Sequence, residues 1–357
     1  MNAITGNSSP VTGDLKLAAK QPSSPAENSE SAHTSSLVRH TLREAGGGRN
    51  REHLVEASWR IIAEGSKSFA AASMLFDLTT REQVWMLYAW CRRCDDLIDG
   101  QDLGGALDRR SVLPERVKAL RVLTRAALNR QPTAEVAFDS YGQVASETGL
   151  TMDDAEEVIA GFELDEKDWR PRTTDDMMRY CYYVAGAVGL MMGVVMGVDR
   201  DDTETLDQAV DLGISFQLAN IARDILEDDA DGRCYLPLDW LVEQDIEPGQ
   251  HTKPHHREEL AEMAARLIDL MEVHQAHARL GIEKLSFRQR WAIIAAMRIY
   301  GDIGEKVRSA GTEAWNGRIH TSGWEKLRHV FGAFRDALDN WPPPTPRTQE
   351  RWTRADL

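Results

Sequence analysis

From Cys181 to Val198 the chain runs 18 residues without a charge, CYYVAGAVGLMMGVVMGV. That length touches the lower limit for crossing a bilayer. Gly189, Gly193 and Gly197 recur in it at the four-residue spacing of closely packed helices. The segment is bounded by Arg179 and Asp199 and stands alone in a chain otherwise patterned for water. The expectation is therefore a buried central helix of a bundle. Its glycines either bring neighbouring helices close or leave room for an apolar channel, and spacing does not choose between the two.

The rest of the chain agrees with a helical architecture. Apolar residues recur with helical period around 80–99, 113–129, 151–164, 174–198, 204–229, 256–285, 288–310 and 322–340, and strand signals are almost absent. Thr79-Thr80-Arg81-Glu82 has the form of a capping box opening the first of these. No repeat of 20–50 residues is visible, which disfavours a solenoid. The fold class is all-α, as a single domain over residues 51–340. Residues 1–50 are rich in Ser, Thr, Gly and Pro and close on Gly46-Gly47-Gly48, so they are expected to be a disordered arm without a secretory signal. Residues 341–357 begin Trp-Pro-Pro-Pro-Thr-Pro and are expected to be a flexible tail. With 42 basic and 57 acidic residues the net charge is −15, which argues against nucleic-acid binding. Four cysteines in 357 residues fit no disulfide scaffold and point to the cytoplasm.

Two places carry the chemistry. In VWMLYAWCRRCDDLID (84–99) an apolar helix ends in acid, with Asp95 and Asp99 four residues apart and Arg92 and Tyr88 on the same stripe. In LGISFQLANIARDILED (212–228), Gly213, Gln217, Asn220, Asp224 and Asp228 share a stripe beside the apolar Ile214, Leu218, Ile221 and Ile225. Acids aimed into a core are costly unless paired or bound to metal. Arg92, Arg93 and Arg223 offer a structural salt-bridge reading for either pair alone. Two pairs of the same form favour a metal site. Oxygen-only ligands select a hard cation, Mg²⁺ or Mn²⁺, which typically bridges carboxylates to phosphate. Arg92, Arg223 and Arg233 supply direct phosphate contacts. That arrangement lets an acidic protein bind a diphosphate.

Other motifs offer less. Cys91-Arg-Arg-Cys94 has only Cys181 and Cys234 as further thiols for zinc. Histidines 251, 255, 256, 274 and 277 form no HExxH and are expected on solvated surface. No strand-linked GxGxxG occurs, so no nicotinamide cofactor is expected.

Several stretches together resemble the squalene/phytoene synthase family: Gly65-Ser-Lys-Ser-Phe69, Asp95-Asp-Leu-Ile-Asp99, Tyr180-Cys-Tyr-Tyr-Val-Ala-Gly-Ala-Val-Gly189, and Leu212-Gly through Asn220-Ile-Ala-Arg-Asp224 to Arg233-Cys-Tyr-Leu-Pro237. The wording is most similar to the bacterial phytoene-forming members, and the resemblance covers about 52–330. It implies an isoprenoid-synthase-type bundle around a central apolar cavity. It also implies Mg²⁺-dependent head-to-head condensation of two geranylgeranyl diphosphates, through prephytoene diphosphate, to 15-cis-phytoene. Members acting on farnesyl diphosphate share these motifs, so C30 products stay open, as does a non-catalytic prenyl-binding role. By the resemblance, Asp95, Asp99, Asp224, Asp228 and Tyr180 are catalytic, and Asp95, Asp99, Asn220, Asp224 and Asp228 hold metal. Ser68, Phe69, Tyr88, Arg92, Gln217, Asn220, Arg223, Arg233 and Tyr235 bind substrate. Phe69, Tyr88, Tyr180 and Phe216 offer π faces to carbocations. Greasy substrates and product imply transient peripheral contact with a membrane, although no docking surface can be named, and the oligomeric state is open.

Overall fold

The computed structural model describes residues 45–99, 109–166, 169–338 and 351–357. Most of the expected N-terminal arm and the start of the expected tail lie outside them. The helices are α1 (Arg51–Gly65), α2 (Lys67–Ser73), α3 (Leu78–Asp99), α4 (Arg109–Leu128), α5 (Val136–Thr148), α6 (Met152–Glu166), α7 (Thr174–Cys181), α8 (Ala187–Val195), α9 (Thr203–Ala230), α10 (Leu238–Glu243), α11 (Arg257–Gly281), α12 (Phe287–Ala310) and α13 (Gly323–Leu338). No strand occurs among the described residues.

The uncharged segment forms the centre. A π-helical turn, Tyr182–Gly186, joins α7 to α8, so the chain runs helically from Thr174 to Val195. By length and composition this run could cross a membrane, yet 56% of its most apolar window is buried within the protein. It packs along α9 and also against α6. Close approach explains its glycines. A Cβ on Gly189 would lie 2.2 Å from the Ala209 carbonyl oxygen, and one on Gly213 of α9 would lie 2.1 Å from that of Ala185. Gly197 instead has φ +87°, the left-handed region that ends a helix. One stripe thus serves two purposes.

α9 is central for a sequence reason. Apolar side chains occur all round it, so it must be covered on several sides. It lies against α8, α11 and α12. One apolar cluster, including Trp90, Phe138, Tyr141 and Met191, packs α1, α3, α5 and α8. A second, including Met178, Ile214, Leu218 and Leu267, joins α7, α9 and α11.

Several local expectations change. The cap of α3 is Asp77, whose carboxylate accepts from the Thr80 amide at 3.0 Å, so the proposed Thr79 box is not used. The periodic pattern passed over α5, whose Phe138, Tyr141 and Val144 are all fully buried. The folded body begins earlier than residue 51. Gly46–Gly48 form a turn with positive φ. Beside it Arg49 pairs with the buried Asp139 at 2.6 Å. At the other end, residues 351–357 of the expected tail are docked. Arg351 reaches Asp211 at 2.6 Å, and Trp352 Nε1 donates to Asp175 at 2.7 Å. Among the histidines expected at the surface, His251 and His274 are buried, and His274 Nδ1 lies 2.6 Å from Asp211. A buried carboxylate supplies the partner that lets an imidazole sit inside.

Candidate active site

The ends of α3 and α9 share one cleft of about 490 Å³. α3 contributes Tyr88, Arg92 and Asp95, one helical turn apart, and α9 contributes Gln217, Asn220, Arg223, Asp224 and Asp228. Tyr180 of α7 and Arg233 and Tyr235 of the loop after α9 complete the lining. Eleven of the fourteen expected site residues therefore meet around one space. Phe69 lies in an adjoining apolar chamber. Asp99 ends α3, but its side chain and that of Ser68 lie outside the described residues.

The chamber has a volume of about 300 Å³. Tyr88, Cys91, Val184, Val188, Gln217 and Asn220 border both spaces, so the polar cleft opens directly onto apolar walls. α12 closes the chamber with Ala292, Ile293, Ala296 and Tyr300. Aromatic rings stack in pairs around it. Phe69 and Tyr88 have centroids 5.6 Å apart, and Phe216 and Tyr300 4.0 Å apart. Tyr180 stacks on Tyr235 at 4.8 Å and on Trp169 at 5.5 Å, on the polar side.

The charges are partly matched. Arg92 pairs with Asp95 at 3.1 Å and with Asp96 at 2.7 Å. Arg223 Nε donates to Asp224 at 2.7 Å. Arg93 binds Glu135 of the segment before α5 at 2.8 Å, whereas Arg92 and Arg223 pair with the motif acids as the salt-bridge reading expects. Asp228 is different. Burial, then the charge of Asp224, push its carboxyl up to about 7 although Arg233 opposes them. Such a group is short of positive charge. Burial, then Asp95, push the Cys91 thiol up to about 12, which keeps it neutral and unsuited to ligation as thiolate.

These residues fit a hard cation. Asp95, Asn220, Asp224 and Asp228 present only oxygen donors that a divalent ion would accept, and Asp228 is raised by burial and then by the charge of Asp224. Among the described residues no three acidic, His or Cys side chains form a ready metal cage. A cation here would complete its shell with water and substrate oxygens, as Mg²⁺ commonly does.

Two site residues were not anticipated. Arg318, in the loop between α12 and α13, lies 3.7 Å from Asp224 and 3.5 Å from Glu227. A loop arginine carries no periodic signal. Tyr300 follows Ala292 and Ala296 at four-residue steps, and that stripe in α12 was a usable signal.

The Squalene/phytoene synthase family model matches residues 62–325. A 15-cis-phytoene synthase of Enterobacter agglomerans is 44% identical over 81% of this chain and 98% of its own length. One from Pantoea ananas is 41% identical over 85% and 99%. A solved dehydrosqualene synthase, in complex with ligand, is 23% identical and superposes with a TM-score of 0.70 over 79% of this chain and 96% of its own. With the motifs on two facing helices, a chamber behind them and matches along most of its length, this chain belongs to the squalene/phytoene synthase family.

Proposed function

We propose that this protein is a 15-cis-phytoene synthase that joins two geranylgeranyl diphosphates head to head, through prephytoene diphosphate, with release of diphosphate. The observation that carries the reading is the continuity of an acidic cleft with an apolar chamber through Gln217 and Asn220. The 41–44% identity to bacterial 15-cis-phytoene synthases supports the C40 substrate.

On this reading Asp95, Asn220, Asp224 and Asp228 would hold Mg²⁺, and the family resemblance adds Asp99 to that set. When bound, the ion supplies Lewis-acid stabilisation of the departing diphosphate. Arg92, Arg223 and Arg233 line the cleft and orient the diphosphate through charge-assisted hydrogen bonds. Arg318 adds positive charge at Asp224 and Glu227. The chamber walls hold the two prenyl chains side by side and exclude water from the allylic cation. Phe69, Tyr88, Phe216 and Tyr300 present π faces there. Burial pushes the Tyr88 and Tyr300 phenols up, so both rings stay neutral. Tyr180, stacked between Trp169 and Tyr235, keeps its place at the cleft. The free thiols fit a reducing cytoplasm.

The test is product analysis. Purified protein with Mg²⁺ is given geranylgeranyl diphosphate or farnesyl diphosphate separately, and the hydrocarbon is weighed by mass spectrometry. A C40 hydrocarbon from the first is expected. C30 product alone would move the protein to the squalene side of the family, and prenyl binding without diphosphate release would make it non-catalytic.

A further inference from the structure

α13 is built inside out. Its buried positions are small or polar, His329, Ala333 and Ala337, whereas its large apolar side chains face water. Trp324 is 82% exposed, Phe331 68% and Leu338 61%, and Leu327 and Phe334 are also exposed. At 100° per residue these five fall within an arc of about 80°, on the side away from the core. Exposed apolar patches of this kind mark interaction sites.

Charge identifies the partner. Arg328 and Arg335 are exposed and border the same arc. The acids of the helix turn inward, where Glu325 meets Lys306 and Asp336 meets Arg298, each at 2.8 Å. Among the described residues, a chain of net charge −15 thus presents here an outward face of Trp, Phe and Leu edged with arginine and without acid. We propose that α13 is the docking surface of this protein for an anionic lipid bilayer, lying in the interface with Trp324, Leu327, Phe331 and Leu338 among the acyl chains. Lipid-seated helices have this combination of one apolar face and basic flanks. A second copy seated on the same face would bring identical arginines together.

The position of the face gives the contact a purpose. Phe334 packs edge-on against Trp291 and Phe287 of α12, with centroids 5.1 and 5.6 Å away. The other side of α12, at Ala292, Ile293 and Ala296, lines the apolar chamber. One helix separates the docking face from the space proposed for prenyl chains. That purpose rests on the proposed function; the surface itself does not.

The test needs no substrate. The full chain is sedimented with phosphatidylcholine vesicles, with and without phosphatidylglycerol. Wild type is expected to bind the anionic vesicles. Trp324→Ser with Phe331→Ser should weaken that binding about tenfold or more. Arg328→Glu with Arg335→Glu should weaken it by roughly fivefold per charge removed and leave the small binding to neutral vesicles unchanged. Trp324→Phe should keep binding but lose part of the fluorescence quenching by brominated lipid, which guards against misfolding in the serine variant. Wild type that stays in the supernatant, or variants that bind equally, would overturn the proposal. So would a concentration-dependent dimer that only the serine variant dissociates. Turnover in detergent micelles should stay unchanged in all these variants. Its loss in wild type too would count against the proposed reaction and not against the surface.

Discussion

Arg223 and Asp224, neighbours in sequence, bind one another at 2.7 Å while fewer than one-fifth of either side chain reaches solvent. The pair stands in the cleft instead of across a helix surface, so on the proposed function each member would gain a second partner, an anion for Arg223 and a cation for Asp224. Asp224→Asn keeps a hydrogen-bond acceptor for Arg223 and removes the charge. It is expected to lower turnover by roughly 10²–10³-fold or more, with circular dichroism unchanged. Asp95→Ala on the facing helix should do the same. Product quantification checks both, and near-normal turnover in either would remove that carboxylate from the mechanism.

Gly213 lies where α9 meets the π-helical turn, and a Cβ there would come within 2.1 Å of the Ala185 carbonyl oxygen and 3.0 Å of the Gly186 Cα. Both obstacles are backbone, so neither can swing aside. Gly213→Ala should therefore force the two helices apart and cost about 1–3 kcal/mol. Gly317→Ala, where an added Cβ meets nothing within 4 Å, is the control and should stay within about 0.5 kcal/mol. Denaturant titration of the two variants measures the difference.

The fold and most of the site were legible because helical period and acid placement are local properties. Asp95, Asp224 and Asp228 share a cleft because each follows an uncharged helical run that has to be interior. What escaped was set by tertiary context. α5 shows little contrast between faces because so much of it is buried. His274 is interior because Asp211, 63 positions earlier, meets it. Arg318 reaches Asp224 from a loop whose path no periodicity describes. The glycines of the central run were ambiguous because close packing and a neighbouring cavity both call for small residues. Gly189 in fact touches the Ala209 backbone and also borders the chamber.

On the proposed function, Asp228 would link metal binding to pH. Its carboxyl is pushed up to about 7, by burial and then by Asp224, so below that pH it carries a proton that a divalent cation must displace. Mg²⁺ affinity should rise about tenfold between about pH 6 and pH 8, with proton release. Asp228→Asn should weaken binding and flatten that dependence. Calorimetry of the substrate-free protein in buffers of different ionisation heat measures both quantities. A wild-type affinity independent of pH would contradict the assignment of Asp228 as a ligand.

Asp211 ties the C-terminal segment to the body of the protein. It is buried on α9 and meets His274, His277 and Arg351. Burial alone would raise its carboxyl, but hydrogen bonds from His274 and His277, with the charge of Arg351, hold it below the ordinary carboxylate value of 3.8. A depressed carboxyl stabilises the fold fully above its unfolded value, and that stability is lost as pH falls through the lower folded value. Asp211→Asn should thus cost about 3 kcal/mol near neutral pH, because it leaves Arg351 without its buried counter-charge. The gap from wild type should persist down to about pH 4 and close only below it. Arg351→Ala should incur part of the same loss and release residues 351–357, seen as faster amide exchange there. A gap between wild type and Asp211→Asn that narrows already above about pH 5 would mean that a group other than this carboxylate holds the segment in place.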